Sequence, residues 1–317
     1  MDRTSQRTDG GTSVRETSSA SVDTPGQMAV TETETAVGRS TVGRSLALGL
    51  AVLAAALAVN TLLGPLVADA IEYPFSQTLV YQTVGLEAVT LALVVPWCLA
   101  AALLVRRGHR AGPVLAVAPA AYTAYMFAQY VVGPSYLTYR PIVAFHLGIF
   151  VLGGALLALA SRRIRLDALP TPSARRNRLT ALGLALLAAF VVFRYVPSFA
   201  GMVTGDPLTT EFAADPAMYW SIFLLDLGVV VPVTVAAALG LRRGARWART
   251  ATLGIVGWYV PVPVSVAAMG LVMLVNDDPN TSVGFVATLS VAALLFTGFA
   301  VWVYRPLFGD GHDSSSE

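Results

Sequence analysis

The stretch VVPWCLAAALLVRRGHR, residues 94–110, has a second copy in VVPVTVAAALGLRRGAR, residues 230–246. At a constant offset of 136, the two stretches are identical at 11 of 17 positions. Matches of alanine, leucine and valine are common in an apolar chain, but a proline, an Arg-Arg-Gly and a further arginine at one offset are not. The pattern indicates an internal duplication of an apolar, proline-containing helix that runs into a basic loop.

The composition is that of an integral membrane protein. Hydrophobic residues make up 55% of the chain, charged residues 13%, and the mean hydropathy is +0.65, which lies outside the range of soluble globular proteins. The net charge of +2 does not indicate a nucleic-acid partner, so membrane lipids are the expected surroundings. Because Cys98 is the single cysteine, intrachain disulfides and cysteine-ligated metal sites are excluded. The three histidines are scattered and no catalytic or cofactor motif is found, so we expect no metal and no cofactor.

Eight apolar stretches follow a polar first segment, and each is close to the ~20 residues that a helix needs to cross a membrane. The predicted spans are residues 46–67, 79–105, 113–132, 141–160, 179–199, 219–241, 251–275 and 283–304. Residues 1–44 are rich in serine and threonine, which predicts a disordered tail. The chain is therefore predicted to be an all-α, multi-pass membrane protein.

Arginine is concentrated in alternate loops, and this predicts the orientation of the helices. Short arginine-rich loops stay in the cytoplasm. The basic residues of these loops are Arg106, Arg107, Arg110, Arg162, Arg163, Arg165, Arg175, Arg176, Arg178, Arg242, Arg243, Arg246 and Arg249. The other loops carry Asp69, Glu72, Asp206, Glu211, Asp215, Asp277 and Asp278, with Arg140 as their only clear base. Both the tail of residues 1–44 and the C-terminal tail of residues 307–317 are thus expected in the cytoplasm, with the helices in the cell membrane.

A second match extends the duplication to whole halves. Residues 47–55 read ALGLAVLAA and residues 181–189 read ALGLALLAA, with eight of nine residues identical at an offset of 134. We therefore predict two four-helix repeats, residues 45–161 and 179–306, joined by a cytoplasmic arginine-rich linker of residues 162–178. Since each repeat has an even number of helices, the two are expected to be parallel and related by a pseudo-twofold axis along the membrane normal.

Polar side chains inside the apolar spans are the candidate binding residues: Asn60, Glu87, His146, Arg194 and Asp226. A charged group in hydrocarbon costs at least ~2.5 kcal/mol, so such groups normally face the bundle interior or water. At 1.5 Å of helix rise per residue, all five lie roughly 21–27 Å from the cytoplasmic ends of their helices, in the outer third. We expect an outward-facing polar cavity with Arg194 paired to Asp226 and Glu87 paired to His146. Alternatively, these groups snorkel to the headgroups or hold helices together.

Two matched prolines, Pro96 and Pro232, lie near the middle of the second and sixth spans. A proline inside a helix removes one backbone hydrogen bond and kinks the helix. Paired interruptions in two halves are typical of binding sites in transporter folds. The alternative is a kink that serves packing alone, since proline is common in membrane helices.

A resemblance to a known family rests on two loose motifs: Tyr122-x-x-Tyr125-x-x-x-x-Tyr130-x-x-Gly133 followed by Tyr139, and LDLGVVVP at residues 225–232. Over most of residues 45–305 the chain resembles a family of uncharacterised polytopic membrane proteins of prokaryotes. That family has no assigned activity. The resemblance therefore implies a fold and draws attention to Asp226 without supplying a mechanism.

Three functions remain open from the sequence. The first is binding or translocation of a small solute, in which Glu87 and Asp226 are the binding carboxylates, Arg194 is a counter-ion and His146 responds to protons. The second is a membrane-embedded enzyme acting on a lipid or isoprenoid, with Glu87 and His146 as acid and base. The third is a non-catalytic scaffold whose polar groups only hold helices together. No residue is assigned a catalytic role, and partner proteins are not identified.

The predicted orientation is tested by a reporter fused to the C-terminus. We expect a reporter that is active only in the cytoplasm to be active there, because every basic loop lies on the same side as Arg305 at the end of the last span. Activity of a reporter that works only outside the cell would overturn this topology.

Overall fold

The structure, a computed structural model, describes residues 25–309, with side chains from residue 43 onward. Within this part of the chain every regular element is a helix. Eight helical segments are long and apolar enough to cross a membrane: Gly43–Leu63, Gln77–Arg106, Gly112–Val132, Pro141–Arg163, Ala174–Thr204, Pro216–Arg242, Arg246–Val275 and Val283–Leu307. The prediction of eight apolar helices in an all-α chain is thus confirmed. Of the two predicted tails, residues 1–24 and 310–317 lie outside the described part.

Several of these segments consist of more than one helix. The α-helices are α1 (Pro25–Leu63), α2 (Gln77–Val89), α3 (Val95–Arg106), α4 (Gly112–Val132), α5 (Pro141–Arg163), α6 (Ala174–Arg194), α7 (Val196–Thr204), α8 (Thr210–Ala214), α9 (Pro216–Leu225), α10 (Val231–Arg242), α11 (Arg246–Trp258), α12 (Pro261–Val275) and α13 (Val283–Tyr304). Two short 3₁₀ turns cover Leu166–Ala168 and Arg305–Leu307.

A π-helical turn precedes each of the two matched prolines. These turns are Thr90–Val94, between α2 and α3, and Asp226–Val230, between α9 and α10. In each, the first N–H of the following helix bonds to a carbonyl five residues back, from Val95 to Thr90 and from Val231 to Asp226. A proline next in the chain has no N–H to offer the carbonyl four residues before it, so the preceding turn widens locally. Each turn begins with a polar residue, Thr90 in the first and Asp226 in the second, and these two residues are also 136 positions apart.

Prolines and a glycine also set three helix ends that the predicted spans did not place. The predicted first span ran to residue 67, but α1 ends at Leu63 and is followed by Gly64 and Pro65. The fifth segment breaks at Tyr195, ahead of Pro197. The seventh breaks ahead of Pro261, so that α11 and α12 form one interrupted segment.

Helix α4 lies at the centre of the bundle. In its most apolar window 67% of the residues are buried, against 22% to 44% in the other seven segments of the described chain. It packs against α3 and α5 from the first half of the chain and against α9 and α11 from the second half. Helix α12, in the second half, packs in turn against α2 in the first. The side chains of α4 are therefore positioned to meet polar groups from both halves.

Candidate functional site

Four of the five candidate residues fall into two groups, α4 contributes to both groups, and Arg194 belongs to neither. Asn60 on α1, Glu87 on α2 and His146 on α5 meet Tyr130 of α4 and Tyr73 of the loop after α1. We refer to these five residues as the Glu87 cluster. The second group is built on Asp226 and is described below.

Glu87 is a buried carboxylate with one oxygen in use. Its side chain is 1% exposed, and Oε2 accepts a hydrogen bond of 3.1 Å from the backbone N–H of Leu66. Oε1 is buried and has no hydrogen-bond partner. Glu87 forms no ion pair in the part of the chain that the structure describes. The single ion pair there joins Arg246 to Asp167. A buried charge without a partner costs several kcal/mol, so a proton or a nearby cation would stabilise this carboxylate.

Gly64 makes room for that carboxylate where the chain leaves α1. A Cβ atom at residue 64 would come within 2.1 Å of Oε1 of Glu87, which is far inside van der Waals contact. The Gly64 N–H bonds to the Asn60 carbonyl at 2.9 Å and so completes the end of the helix. Glycine is therefore required at this position for the carboxylate to approach the backbone.

His146 is fully buried among aromatic rings. Its Nε2 lies 2.9 Å from Oδ1 of Asn60 and 3.5 Å from the Tyr73 hydroxyl. The ring centroids of Phe127, Tyr130 and Tyr73 lie 5.5, 5.2 and 5.9 Å from that of the imidazole. Asn60 Oδ1 can only accept, so Nε2 is the donor in this contact, and the imidazole also lies beside the backbone of Tyr130. Nδ1 makes no hydrogen bond of acceptable geometry.

Tyr73 enters the cluster from outside the apolar segments. Burial, followed by the negative charge of Glu87, raises the pKa of its hydroxyl well above the ordinary value of 10.0. Tyr73 therefore remains a neutral hydrogen-bond donor at any physiological pH.

Unpartnered polar atoms are concentrated in the Glu87 cluster. Among the described residues, seven buried side-chain oxygen or nitrogen atoms have no hydrogen-bond partner, and three of them are Glu87 Oε1, Tyr130 OH and His146 Nδ1. Buried polar atoms in folded proteins nearly always have a partner, which is often a water or a ligand. Three such atoms lie in one aromatic-lined cluster, with Gly64 packed closely against Oε1 of Glu87.

Asp226, in contrast, is fully satisfied. It is 5% exposed, and its two oxygens accept hydrogen bonds from the hydroxyls of Tyr125 at 2.6 Å and Tyr195 at 2.7 Å. Tyr125 lies on α4, and Tyr195 lies at the break between α6 and α7. These contacts tie the π turn of the second half to the central helix.

The predicted pairing of Arg194 with Asp226 is wrong, because the two side chains form no ion pair. Arg194 is exposed, its guanidinium lies 5.5 Å from the ring centroid of Tyr195, and it forms no ion pair in the described chain. Neighbouring residues at a helix end point in different directions, and Tyr195 takes the inward one. The predicted direct pairing of Glu87 with His146 is also not formed, although both belong to one cluster.

Tyrosines are the site residues that sequence reasoning missed. A stripe of tyrosines on one helix usually serves interhelical packing, with each hydroxyl bonded to a partner. Tyr122 meets this expectation, because its hydroxyl lies 2.9 Å from Thr90 Oγ1 and 3.2 Å from Ser265 Oγ. Tyr125 binds Asp226, however, and Tyr130 reaches the Glu87 cluster with a free hydroxyl. The usable signal was that α4 carries tyrosines at several helical positions while the second and sixth spans each carry one carboxylate, Glu87 and Asp226.

The Asp226 contacts predict a measurable loss of stability. Tyr125→Phe should lower the free energy of unfolding by about 1.5–3 kcal/mol, because a hydrogen bond to a buried carboxylate is lost. The same change at Tyr139, whose side chain is fully exposed, should have an effect below about 0.5 kcal/mol. Thermal unfolding of purified protein in detergent compares the two variants. Equal effects at both positions would show that the Tyr125 hydroxyl does not support Asp226.

No protein-family model matches the chain, and neither a curated protein nor a solved structure matches it. The resemblance to polytopic prokaryotic membrane proteins therefore stays a prediction. The geometry of the two groups is the observation from which a function can be argued.

Proposed function

We propose that the chain is a multi-pass protein of the cell membrane, built from two parallel four-helix repeats, whose Glu87 cluster binds and translocates a small organic cation that enters from the outer side. The proposal has four supports, which are the surface of the bundle, the matched halves, the position of the cluster and the state of the Glu87 carboxylate.

The distribution of polarity supports insertion into a membrane. Large apolar side chains are exposed around the bundle, for example Leu48, Phe193 and Leu294, at 67%, 74% and 73%. Glu87 and Asp226, on the other hand, are buried. This reverses the pattern of a soluble protein, in which charged residues are almost never buried and large apolar patches are rare. A bundle of this kind is stable where its surroundings are hydrocarbon.

Local geometry supports two related halves. The π turns Thr90–Val94 and Asp226–Val230 occur at the offset of the sequence duplication, and each leads into a helix of 12 residues. The third segment of each half also packs against the second segment of the other, as α4 does on α9 and α12 on α2. Reciprocal packing of this kind is expected of two repeats related by a twofold axis.

The loop between α1 and α2 supports an outer location for the cluster. This loop supplies Tyr73 and the N–H of Leu66 that binds Glu87. It also carries Asp69 and Glu72 and no arginine, which is typical of an outer loop. The Glu87 cluster consequently lies at the end of the bundle that the predicted topology turns outward.

The Glu87 carboxylate carries the proposal. Its free Oε1 is a buried acceptor with no cation in the described chain, and aromatic rings surround the neighbouring His146. Aromatic faces and a carboxylate together are the groups that proteins use to bind organic cations, through cation–π attraction and a charge-assisted hydrogen bond. A small amine therefore matches the cluster better than an anion does.

A second role, as a structural element, fits Asp226. Both of its oxygens are satisfied by tyrosine hydroxyls and it leaves no acceptor free for a ligand. We therefore assign Asp226 to holding the halves together and no longer to solute binding.

The function is tested by Glu87→Gln with Glu72→Gln as its matched control, since Glu72 is an exposed carboxylate of the adjoining loop. Purified variants are screened for thermal stabilisation by a panel of small amines, amino acids and organic anions. An amine at 100 times its dissociation constant should stabilise the wild type by about 2.7 kcal/mol, and Glu72→Gln equally. Glu87→Gln should remain folded and lose at least about tenfold in affinity, because a charge-assisted bond is lost. Uptake of the same amine into proteoliposomes then separates translocation from binding.

Two results would contradict the proposal. One is stabilisation of wild type and Glu87→Gln to the same extent by the same amines. The other is a panel in which only organic anions stabilise the protein.

A further inference from the structure

A cavity of about 320 Å³ lies at the end of the bundle that the sequence predicts to be cytoplasmic. The Glu87 cluster lies at the opposite end. The cavity is lined by the segment Leu169–Ser173 of the arginine-rich linker, the first turns of α6, and parts of α10, α11 and the end of α13. It shares no lining residue with the Glu87 cluster. It is thus a separate site, and its ligand does not depend on the function proposed above.

Two uncompensated arginines line this cavity. Arg176 donates to the carbonyl of Trp302, and its guanidinium lies 4.6 Å from the centroid of the Trp302 ring. Arg249 donates to the carbonyl of Pro170 at 3.3 Å. Neither arginine has a carboxylate partner in the described chain, where Asp167 is taken by Arg246. Each guanidinium has five N–H donors, so both retain donors for an anion.

A buried hydroxyl marks the same cavity independently. Thr252 is 4% exposed, lines the cavity, and its Oγ1 has no hydrogen-bond partner. A hydroxyl in this position costs about 1–3 kcal/mol if it stays unpaired. A ligand oxygen in the cavity would remove that cost.

The remaining lining is apolar. Leu241, Leu253, Val303 and Leu307 form walls beside the two guanidiniums and the hydroxyl. Neither an inorganic anion nor a hydrocarbon satisfies all of these surfaces. A molecule that has an anionic head and an apolar chain does.

We propose that this cavity binds an anionic, phosphate-bearing amphiphile of the membrane. The guanidiniums of Arg176 and Arg249 hold the phosphate, for which arginine is well suited because its planar fork donates two parallel hydrogen bonds. The Thr252 hydroxyl donates a further hydrogen bond, and the first part of the acyl or prenyl chain lies on the apolar walls. The volume is at the lower end for ligand sites, which fits a headgroup and the beginning of one chain. Because the lining comes from the linker and from the second half of the chain, such a ligand holds the linker against the second half.

The test compares two double variants of equal charge in the full-length protein. Arg176→Gln/Arg249→Gln removes the arginines of the cavity. Arg175→Gln/Arg178→Gln removes two exposed arginines of α6, the helix that carries Arg176, and neither of them lines the cavity. Native mass spectrometry in detergent measures binding of phosphatidylglycerol, with phosphatidylcholine and inorganic phosphate as competitors. We expect affinity for phosphatidylglycerol to fall at least about tenfold in the cavity variant and less than about twofold in the control, because only the cavity variant loses charge-assisted bonds.

Three results would overturn the proposal. The first is an equal loss of affinity in both double variants, which would mean that general surface charge holds the lipid. The second is displacement of phosphatidylglycerol by inorganic phosphate at similar concentrations, which would mean a phosphate site with no role for the chain. The third is a pair of results: the arginine changes have no effect, and deletion of the acidic residues 310–317 alone tightens binding. This pair would mean that the C-terminal tail determines the affinity for the lipid. If the cavity variant does not purify folded, Thr252→Val replaces it and is expected to weaken binding while leaving thermal stability unchanged or higher.

Discussion

The need to satisfy polar groups without water governs this bundle. Large apolar side chains are exposed around the bundle, and the buried donors and acceptors must find partners inside the protein or bind a partner from outside. Asp226 shows the first solution, with one tyrosine hydroxyl on each oxygen. Glu87 shows the second, with one oxygen on a backbone N–H and one oxygen free. This difference between the two carboxylates is the reason for proposing a structural role for Asp226 and a binding role for Glu87.

The π turns connect this constraint to the backbone. Pro96 and Pro232 each remove one backbone donor from an apolar helix. The turn before each proline widens, and its first residue, Thr90 or Asp226, faces tyrosines of α4. A single sequence device, copied into both halves, therefore places a polar side chain against the central helix twice. The contacts differ between the copies, because Thr90 meets Tyr122 through a hydroxyl and Asp226 meets Tyr125 through a carboxylate.

Much of the fold could be predicted from sequence because apolar length is a strong signal. The eight apolar segments follow from it. The matched prolines and the candidate polar residues can then be located within those segments. The pairing of side chains did not follow, because a spacing of one residue decides which of Arg194 and Tyr195 faces Asp226. The contribution of Tyr73 was also hidden, since a loop residue packed back into a bundle leaves no periodic pattern. The cavity beside Arg176 was unpredictable for a similar reason, as its lining comes from segments far apart in the chain.

The most direct measurement is an experimental structure of the protein in a lipid bilayer, at a resolution that shows bound water and small molecules around Glu87. A polar site predicts a water, a cation or an amine within hydrogen-bonding distance of Oε1, in contact with the rings around His146 and continuous with the side that carries Tyr73. A Glu87 side chain turned towards an acyl chain, or one whose two oxygens are both bonded to the protein, would contradict it.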